Sequence, residues 1–512
     1  MINRRVFVGL LSSVAISNYA SKVHAQSRIQ SILQSVIASG KPFSREIVVS
    51  AARELAKQPF SAPATNLPDP FSGLSLEQYS GIKPKPETAI WADQNYGFVV
   101  EPLHRGYLYD APVLVYTVVN EAILGIAYDQ NRFNFGKLNV PANLPDIAYS
   151  GIKISVVQDG AKREAAIFQG GTFYRSQAVG QTSGAMARAV SLKTGDPRGE
   201  EISQFRAFWI EQPNIGQPLV VHAIADSDSL VAAFRFTIRA QDTVIIDAEA
   251  TFIARTVIDN IGFGGAQAMH FFSSASPRRM DGDYRASVHE ANGLQIQRGN
   301  NEWLWRPLGN PSQLQVSSFV DENIKGFGLV QRDRNFQTYN DDNLHYELKP
   351  TLWTEPLGEW GQGGVQLIEI PTEADVNQNI VTFWRPKAPL NPGQELSLAY
   401  RQFWGWNVPE PPNVAIVTST RIGRLGAKKR RFLVEFFGNQ FNPEQKSDDF
   451  KVVLTNSLGS VVGQRFVYDP DHKIARVIFD LDVANETLIE LRLLLELNSA
   501  AQTETWLYRW TP

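Results

Sequence analysis

Residues 219–253 read LVVHAIADSDSLVAAFRFTIRAQDTVIIDAEATFI, and this stretch decides the fold. It holds three runs rich in β-branched and aromatic residues, Leu219–Ile224, Leu230–Ile238 and Val244–Ile253, with the turn residues Asp226–Ser229 between the first two. Such runs, bounded by turn residues, are typical of β-strands. Because no long helix alternates with them, the pattern argues against a parallel α/β fold. It predicts a mainly β protein with a large N-terminal antiparallel β-sandwich.

The regions on either side of the β-rich centre differ from it. Apolar residues recur at helical spacing within residues 27–58, which predicts two short helices. The proline cluster Pro409–Pro412 is a natural linker, since proline does not continue a central strand. Four strand-like runs follow it, namely Phe432–Phe437, Lys451–Leu454, Ala475–Phe479 and Leu488–Leu497. We therefore predict a large domain at residues 26–407 and a small C-terminal immunoglobulin-like β-sandwich at residues 408–512.

The first 25 residues have the layout of a signal peptide. Arg4 and Arg5 precede a short apolar stretch at residues 6–16, and a small-residue cleavage site ends at Ala25. The paired arginines favour a twin-arginine signal, with an ordinary secretory signal as the alternative. Removal of residues 1–25 changes the net charge from −3 to −6. Because we find no other apolar run long enough to span a membrane, we expect a mature chain without a membrane span in the periplasm.

Composition excludes several classes of protein. Lys and Arg number 49 and Asp and Glu number 52, a balance that argues against a nucleic-acid partner. The absence of cysteine rules out disulfides, thiolate catalysis, iron–sulfur clusters and Cys-ligated zinc. The histidines are scattered, and no phosphate-binding loop, dinucleotide fingerprint, HExxH motif or GxSxG elbow occurs. The sequence therefore implies no metal and no organic cofactor.

Two segments are rich in residue types that form functional sites. From about Asp281 to Trp384 the chain is dense in carboxylates and aromatic residues. Aromatic faces stack on sugar rings, and glycoside cleavage needs two acidic groups, so this segment is a candidate saccharide site. The alternative interpretation is that these charged residues simply lie on the solvated surface. The second segment is the run of four cations Lys428–Arg431, for which a solvated hairpin turn is the first interpretation and a patch for an anionic partner the alternative.

Longer motifs carry a family resemblance. In chain order they are Phe168–Arg175 (FQGGTFYR), Phe205–Trp209 (FRAFW), Asn301–Pro311 (NEWLWRPLGNP), Val316–Asn323 (VSSFVDEN), Gly326–Asp333 (GFGLVQRD), Trp360–Gly364 (WGQGG) and Glu369–Thr372 (EIPT). Together they resemble the osmoregulated periplasmic glucan biosynthesis proteins, the OpgG/OpgD family. The twin-arginine-like leader is closer to the D branch. The resemblance implies a large β-sandwich joined to a small immunoglobulin-like domain, and a periplasmic role in making or shaping β-1,2-linked glucans.

The resemblance also implies the positions of catalytic groups. Members of the family include inverting β-1,2-glucan hydrolases, with a general base in a Val-His-Asp motif and a general acid at the second Asp of a Thr-Asn-Asp-Asn-Ile motif. Here Glu290 takes the position of the base and Gln378 that of the acid. A carboxamide is not a usable proton donor near neutral pH. Asp375 is an alternative acid, although on a strand its three-residue offset from Gln378 would reverse its face.

Further positions match the family and become candidate substrate contacts. They are Tyr346, Trp303, Trp305, Trp353, Trp360, Asp321 and Arg306. For each tryptophan, packing in the core is the alternative to stacking on a sugar.

Three functions are compatible with these residues. The first is a periplasmic protein that binds and shapes the glucan backbone with little hydrolysis, since Gln378 replaces the acid. The second is an active inverting β-1,2-glucan hydrolase or transglycosylase that uses Glu290 and another acid such as Asp375. The third is a non-catalytic scaffold that contacts the membrane glucan synthase, a glucosyltransferase, through the C-terminal domain. The partner is a β-glucan in the first two and the synthase in the third.

Overall fold

The computed structural model describes residues 31–32, 42–158, 160–276 and 282–512. It is mainly β, with 48% strand and 7% helix, and its sheets are largely antiparallel, so the predicted fold class is confirmed. The predicted leader at residues 1–25 lies outside the described residues, and so does nearly all of the first predicted helix. No helix in the described ranges is long and apolar enough to cross a membrane.

The helices that lie wholly within the described ranges are few and short. They are α1 (Arg45–Ala56), α2 (Leu76–Ser80) and α3 (Phe336–Tyr339), with single 3₁₀ turns at Pro86–Thr88, Gln130–Arg132, Tyr346–Leu348 and Ser447–Asp449. Helix α1 coincides with the second predicted helix. Its apolar face, which includes Val48, Ala52 and Leu55, is buried against the large sheet described below.

The strands are numbered in chain order. The first sixteen are β1 (Lys83–Pro84), β2 (Phe98–Leu103), β3 (Leu114–Val119), β4 (Ala122–Gly125), β5 (Phe133–Asn134), β6 (Gly151–Gln158), β7 (Ala161–Gln169), β8 (Phe173–Arg175), β9 (Met186–Arg188), β10 (Ser191–Leu192), β11 (Gln204–Glu211), β12 (Leu219–Asp226), β13 (Leu230–Ala240), β14 (Val244–Ala254), β15 (Ile261–Ala268) and β16 (His270–Phe272). The next nine are β17 (Val288–His289), β18 (Gly293–Gln297), β19 (Trp303–Pro307), β20 (Gln315–Glu322), β21 (Gly326–Val330), β22 (Thr351–Pro356), β23 (Gln362–Glu369), β24 (Ile380–Pro386) and β25 (Glu395–Gly405). The last eight are β26 (Ile416–Arg424), β27 (Lys429–Phe437), β28 (Phe450–Asn456), β29 (Ser460–Asp469), β30 (Ile474–Asp482), β31 (Ile489–Leu497), β32 (Ala500–Ala501) and β33 (Thr505–Trp510).

Two large sheets form the body of the protein. One has the order β2-β6-β7-β8-β9-β15-β24-β23-β20, with β10 also paired to β15. The other runs β28-β31-β33-β19-β18-β21-β22-β25-β14-β13-β12-β11-β3-β4, with β32 paired to β31. The stretch quoted at the outset supplies three consecutive antiparallel strands of this sheet, β12 to β14.

The two large sheets pack face to face through shared aromatic residues. The rings of Phe168 on β7 and Phe236 on β13 have centroids 5.0 Å apart, and those of Phe252 on β14 and Phe263 on β15 are 4.8 Å apart. All four side chains are buried. Because each sheet turns alternate residues inward, these rings lie in one continuous apolar core.

The C-terminal strands are joined to the large sheet. Strands β26, β27, β30 and β29 form a separate four-stranded sheet, while β33 pairs in parallel with β19, so that Leu304 lies opposite Thr505. A second apolar core, with Phe432, Phe479 and Trp506, lies between these elements. The predicted boundary at residue 408 falls in the connection between β25 and β26. The division into two domains stays a prediction.

A buried carboxylate fixes this junction. Glu504, just before β33, has no exposed surface and accepts hydrogen bonds from Gln295 Nε2 at 2.7 Å and the Val417 backbone N–H at 2.8 Å. Arg332 donates to both carboxylate oxygens, at 2.7 and 2.9 Å, and its guanidinium lies 3.5 Å from the ring centroid of Trp305. One side chain thus connects β18, the segment after β21 and the start of β26.

Candidate functional site

The two positions that the resemblance assigns to catalysis are in contact. Glu290 follows β17, and its backbone N–H donates to the carbonyl of Met269 at 2.9 Å. Its Oε2 atom accepts hydrogen bonds from the Met269 N–H at 3.0 Å and from Gln378 Nε2 at 2.9 Å. The ribbon of β16 and β17 therefore presents the carboxylate directly to the amide of Gln378.

Reciprocal amide contacts hold the segment that carries Gln378. It lies between β23 and β24 in a stretch without strand structure, so the alternation of faces expected for a strand does not apply to it. At one end Asn379 accepts from the His270 N–H at 2.8 Å and donates to its carbonyl at 3.0 Å. At the other end, the Thr372 backbone N–H donates to Asn310 Oδ1 at 3.0 Å, and Asn310 Nδ2 donates to the Thr372 carbonyl at 2.8 Å. The Gln378 side chain is thus fixed beside Glu290.

The surroundings of Glu290 favour its protonated form. Burial is the largest influence and raises the pKa of Glu290 above its ordinary value of 4.5. The amide of Gln378, the N–H of Met269 and the charges of Lys349 and Arg175 act in the opposite direction without reversing the shift. Burial also lowers the pKa of Lys349, against the attraction of Glu290.

Replacing this carboxyl should stabilise the fold at neutral pH. The folded protein binds the Glu290 proton more tightly than the unfolded chain does, so this group lowers stability as the pH rises above 4.5 through its raised pKa. Glu290→Gln stays neutral, so we expect a higher melting temperature than wild type at neutral pH and no difference below pH 4.5. Thermal melts across this range measure it, with the exposed Glu444→Gln as control. A difference that does not depend on pH contradicts the assigned pKa direction.

The alternative acid, Asp375, is engaged elsewhere. Its Oδ2 atom lies 3.1 Å from Nη2 of Arg285, whose Nη1 lies 3.0 Å from Asp341. The same guanidinium also binds Asp283. Within the described residues no contact links Asp375 to Glu290 or Gln378. No described cluster of three or more carboxylates and histidines is arranged to hold a metal ion.

Tyr346 lies at the same site. Its ring is buried, packs against Tyr339 with centroids 5.8 Å apart, and belongs to the apolar cluster around β16 and β17. Burial is the largest influence and raises the pKa of Tyr346, and the charges of Asp375 and Glu290 also act on it. Three buried polar atoms near Glu290 have no hydrogen-bond partner in the described chain, namely Tyr346 Oη, Gln378 Oε1 and His270 Nε2. Because buried polar groups are normally paired, these three atoms have unused hydrogen-bonding capacity.

The predicted tryptophan contacts lie in packed surroundings. Trp303 and Trp353 are buried and stacked on each other at 5.8 Å. Trp305 is buried under Arg332, and Trp360 packs half-buried against Trp384 at 6.2 Å. None of the four contacts Glu290, Gln378 or Tyr346 in the part of the chain that the structure describes. Their role as sugar contacts stays a prediction.

Arg306 and Asp321 also lie away from the contact between Glu290 and Gln378. Arg306 is buried and donates to Glu369 at 3.2 Å, and Asp321 accepts from the Gly299 N–H at 3.1 Å. Both are explained by local structure, and their assignment as substrate contacts stays a prediction.

Sequence reasoning missed several neighbours of Glu290. Lys349 donates to the carbonyl of Ser183 at 2.7 Å and acts on Glu290 through its charge, as does Arg175. Arg175 ends the quoted motif FQGGTFYR, so motif membership was an available signal. The rings of His270 and His289 stack with centroids 5.0 Å apart, and no local spacing indicates that pair.

Comparisons with known proteins agree with the motifs. A family model described as "Periplasmic glucan biosynthesis protein, MdoG" matches residues 43–510. A glucans biosynthesis protein G of Shewanella sp. strain MR-4 is 39% identical over 479 residues, which cover 92% of this chain and 87% of the relative. A protein of the same name from Vibrio cholerae strain M66-2 is 36% identical over 520 residues, which cover 98% of this chain and 94% of the relative.

One solved structure has a weak likeness to this chain. It is a galactose mutarotase related enzyme from Lactobacillus acidophilus, 7% identical, matched over 50% of this chain and 96% of its own, with a TM-score of 0.22. That score is too low to support an inference. These relatives are named protein G, whereas the likeness to the D branch depends on residues 1–25 and stays a prediction. The family model spans most of the sequence, and the chain therefore belongs to the periplasmic glucan biosynthesis protein family MdoG.

Proposed function

We propose that this protein binds and shapes the β-1,2-linked glucan backbone during glucan biosynthesis in the periplasm, with little hydrolysis of its own. The observation that carries the proposal is the 2.9 Å hydrogen bond from Gln378 Nε2 to Glu290 Oε2. Family membership and the names of the relatives support the glucan as ligand. The predicted leader at residues 1–25 supports export.

The amide at position 378 and its contact with Glu290 both disfavour catalysis. An inverting glycosidase holds two carboxyl groups about 6.5–9.5 Å apart, with room between them for sugar and water. Here the second position is an amide, which does not donate a proton, and its nitrogen lies directly on Glu290. Asp375, the alternative acid, is paired with Arg285 instead.

The same groups are suited to binding. A sugar ring carries hydroxyl groups that both donate and accept hydrogen bonds. The site offers acceptors in the Glu290 carboxylate and in the Gln378 Oε1 atom, which has no partner, and it offers the unpartnered hydroxyl of Tyr346. A glucan segment that displaces the contact between Gln378 and Glu290 would satisfy these buried atoms without any covalent bond being broken.

Calorimetry and product analysis with linear β-1,2-glucan test the proposal together. We expect the purified protein to bind the glucan without shortening it or releasing new reducing ends. Tyr346→Phe should weaken binding by about tenfold, the value of one hydrogen bond. It should not lower the melting temperature, because the buried hydroxyl has no protein partner to lose.

Two results would overturn this function. One is turnover by the wild type that Glu290→Gln abolishes, which would make the protein a hydrolase. The other is a lack of glucan binding together with capture of the membrane glucan synthase, which would favour a scaffold.

A further inference from the structure

Two arginines face each other across the hairpin of β26 and β27. Arg424 is the direct cross-strand partner of Arg430, and the next inward-facing pair is Ile422 with Phe432. Directly opposed residues of an antiparallel pair project from the same face, with side chains a few ångströms apart. Like charges in this arrangement repel and destabilise the hairpin. A hairpin turn was expected at the run Lys428–Arg431. Three of these four cations belong to strand β27 rather than to the turn.

No described carboxylate neutralises this pair. Arg430 donates only to backbone carbonyls of the turn, those of Gly426, Ala427 and Lys429, and Arg424 donates only to that of Gly426. By contrast, Arg431, on the opposite face, binds Asp480 at 2.7 Å. Burial and the charge of Arg424 both lower the pKa of Arg430, as expected for a cation without a counter-ion.

The pair lies on the wall of a cavity of about 380 Å³, which is also lined by residues of β19, β20 and β33. Arg424 and Arg430 line it on one side, with Trp510 under the Arg430 guanidinium at 5.5 Å. The other cations of its wall already have acidic partners, since Arg306 binds Glu369 and Arg509 binds Glu490. Pro512, the last residue of the sequence, also lies on the wall and carries a carboxylate, and among the described residues no ion pair joins it to either arginine. The unpaired positive charge of the cavity therefore belongs to Arg424 and Arg430.

We propose that this cavity is a binding site for a phosphate-type oxyanion, held between the guanidinium groups of Arg424 and Arg430. Guanidinium groups bind phosphate oxygens through paired charge-assisted hydrogen bonds, and an anion between them would remove the repulsion across the hairpin. A phosphate group with a small organic substituent fits the volume. The site is separate from Glu290 and does not depend on the proposed glucan function.

Thermal melts of the full chain in sodium phosphate and in sodium chloride of equal ionic strength test the site. Wild type should melt at a higher temperature in phosphate. Arg424→Gln and Arg430→Gln should each weaken phosphate binding by at least about tenfold, because each removes a charged donor. Arg424→Gln should also raise the melting temperature in chloride, because it relieves the repulsion. The exposed cation Arg465 on β29 provides the control Arg465→Gln, which has the same change of charge.

A second arm identifies the source of the phosphate group. Glycerol phosphate in the melts represents a free phosphate ester, and co-sedimentation with phosphatidylglycerol vesicles represents a lipid headgroup, with phosphatidylcholine vesicles as control. Stabilisation by glycerol phosphate without sedimentation assigns a soluble ester. If the protein sediments with phosphatidylglycerol vesicles, and if inorganic phosphate or Arg424→Gln abolishes this sedimentation, the ligand is a lipid headgroup. If phosphate stabilises Arg424→Gln and Arg430→Gln as much as Arg465→Gln, its effect is general salting-out and the proposal is wrong.

Discussion

The double variant Glu290→Asp with Gln378→Asp is expected to hydrolyse linear β-1,2-glucan at least about a hundredfold faster than wild type. It places Asp at both positions, as the family resemblance implies, and so restores the missing acid at 378; a general acid typically contributes about 10²–10⁴-fold. Each substitution also shortens a side chain by one methylene. The 2.9 Å contact between Gln378 and Glu290 is thereby opened, which makes room for the sugar and the attacking water. Release of reducing ends over time measures the gain.

The single variant Glu290→Asp is the matched control, because it shortens the carboxyl but leaves Gln378 without a proton to donate. It should show no gain. If the double variant is active and Glu290→Asp is not, the low hydrolysis of the wild type is caused by the residue at position 378. If the double variant folds, binds glucan and still produces no new ends, the site differs from the hydrolases at more positions than these two.

Removal of the buried carboxylate at the junction should produce the largest loss of stability. Glu504→Ala leaves Arg332, Gln295 and the Val417 N–H without their shared acceptor, which has no exposed surface. Breaking a buried, hydrogen-bonded ion pair by removing one partner costs about 3–5 kcal/mol. Denaturant titration followed by tryptophan fluorescence measures the effect, since Trp305 lies directly against Arg332.

Glu490→Ala is the matched control for this experiment. Glu490 also pairs with an arginine of the C-terminal region, Arg509, but its side chain is 44% exposed, so its loss should cost about 1 kcal/mol or less. Equal losses in the two variants would mean that Glu504 contributes no more than a surface pair.

Local sequence patterns predicted the strands better than their arrangement. The runs at 219–224, 230–238 and 244–253 coincide with β12, β13 and β14, because strand composition and turn residues are local properties. The sequence did not indicate that β14 pairs with β25 or that β33 joins β19 in parallel. Such pairings are decided by which faces and edges remain to be covered once the chain is compact.

The candidate site was only partly predictable for a similar reason. Family resemblance located Glu290 and Gln378, but the hydrogen bond between them depends on the anchoring of the 371–379 segment by Asn379 and Thr372. Asp375 was a plausible acid by sequence distance alone, and its pairing with Arg285 is set in three dimensions. The buried state of Trp303 and Trp353 follows from mutual stacking, which composition does not reveal.

The parallel pairing of β33 with β19 has a consequence for the order of folding. Leu304 and Thr505 are far apart in the chain, so closing the loop between them costs much conformational entropy before their contacts form. The hairpins of β12, β13 and β14 need only short closures and should acquire protected amides first. Pulse-labelling hydrogen exchange during refolding should therefore find the amides of β33 among the last to become protected. The Glu504 network would then close as a late step, together with the second apolar core, to which Trp506 of β33 belongs.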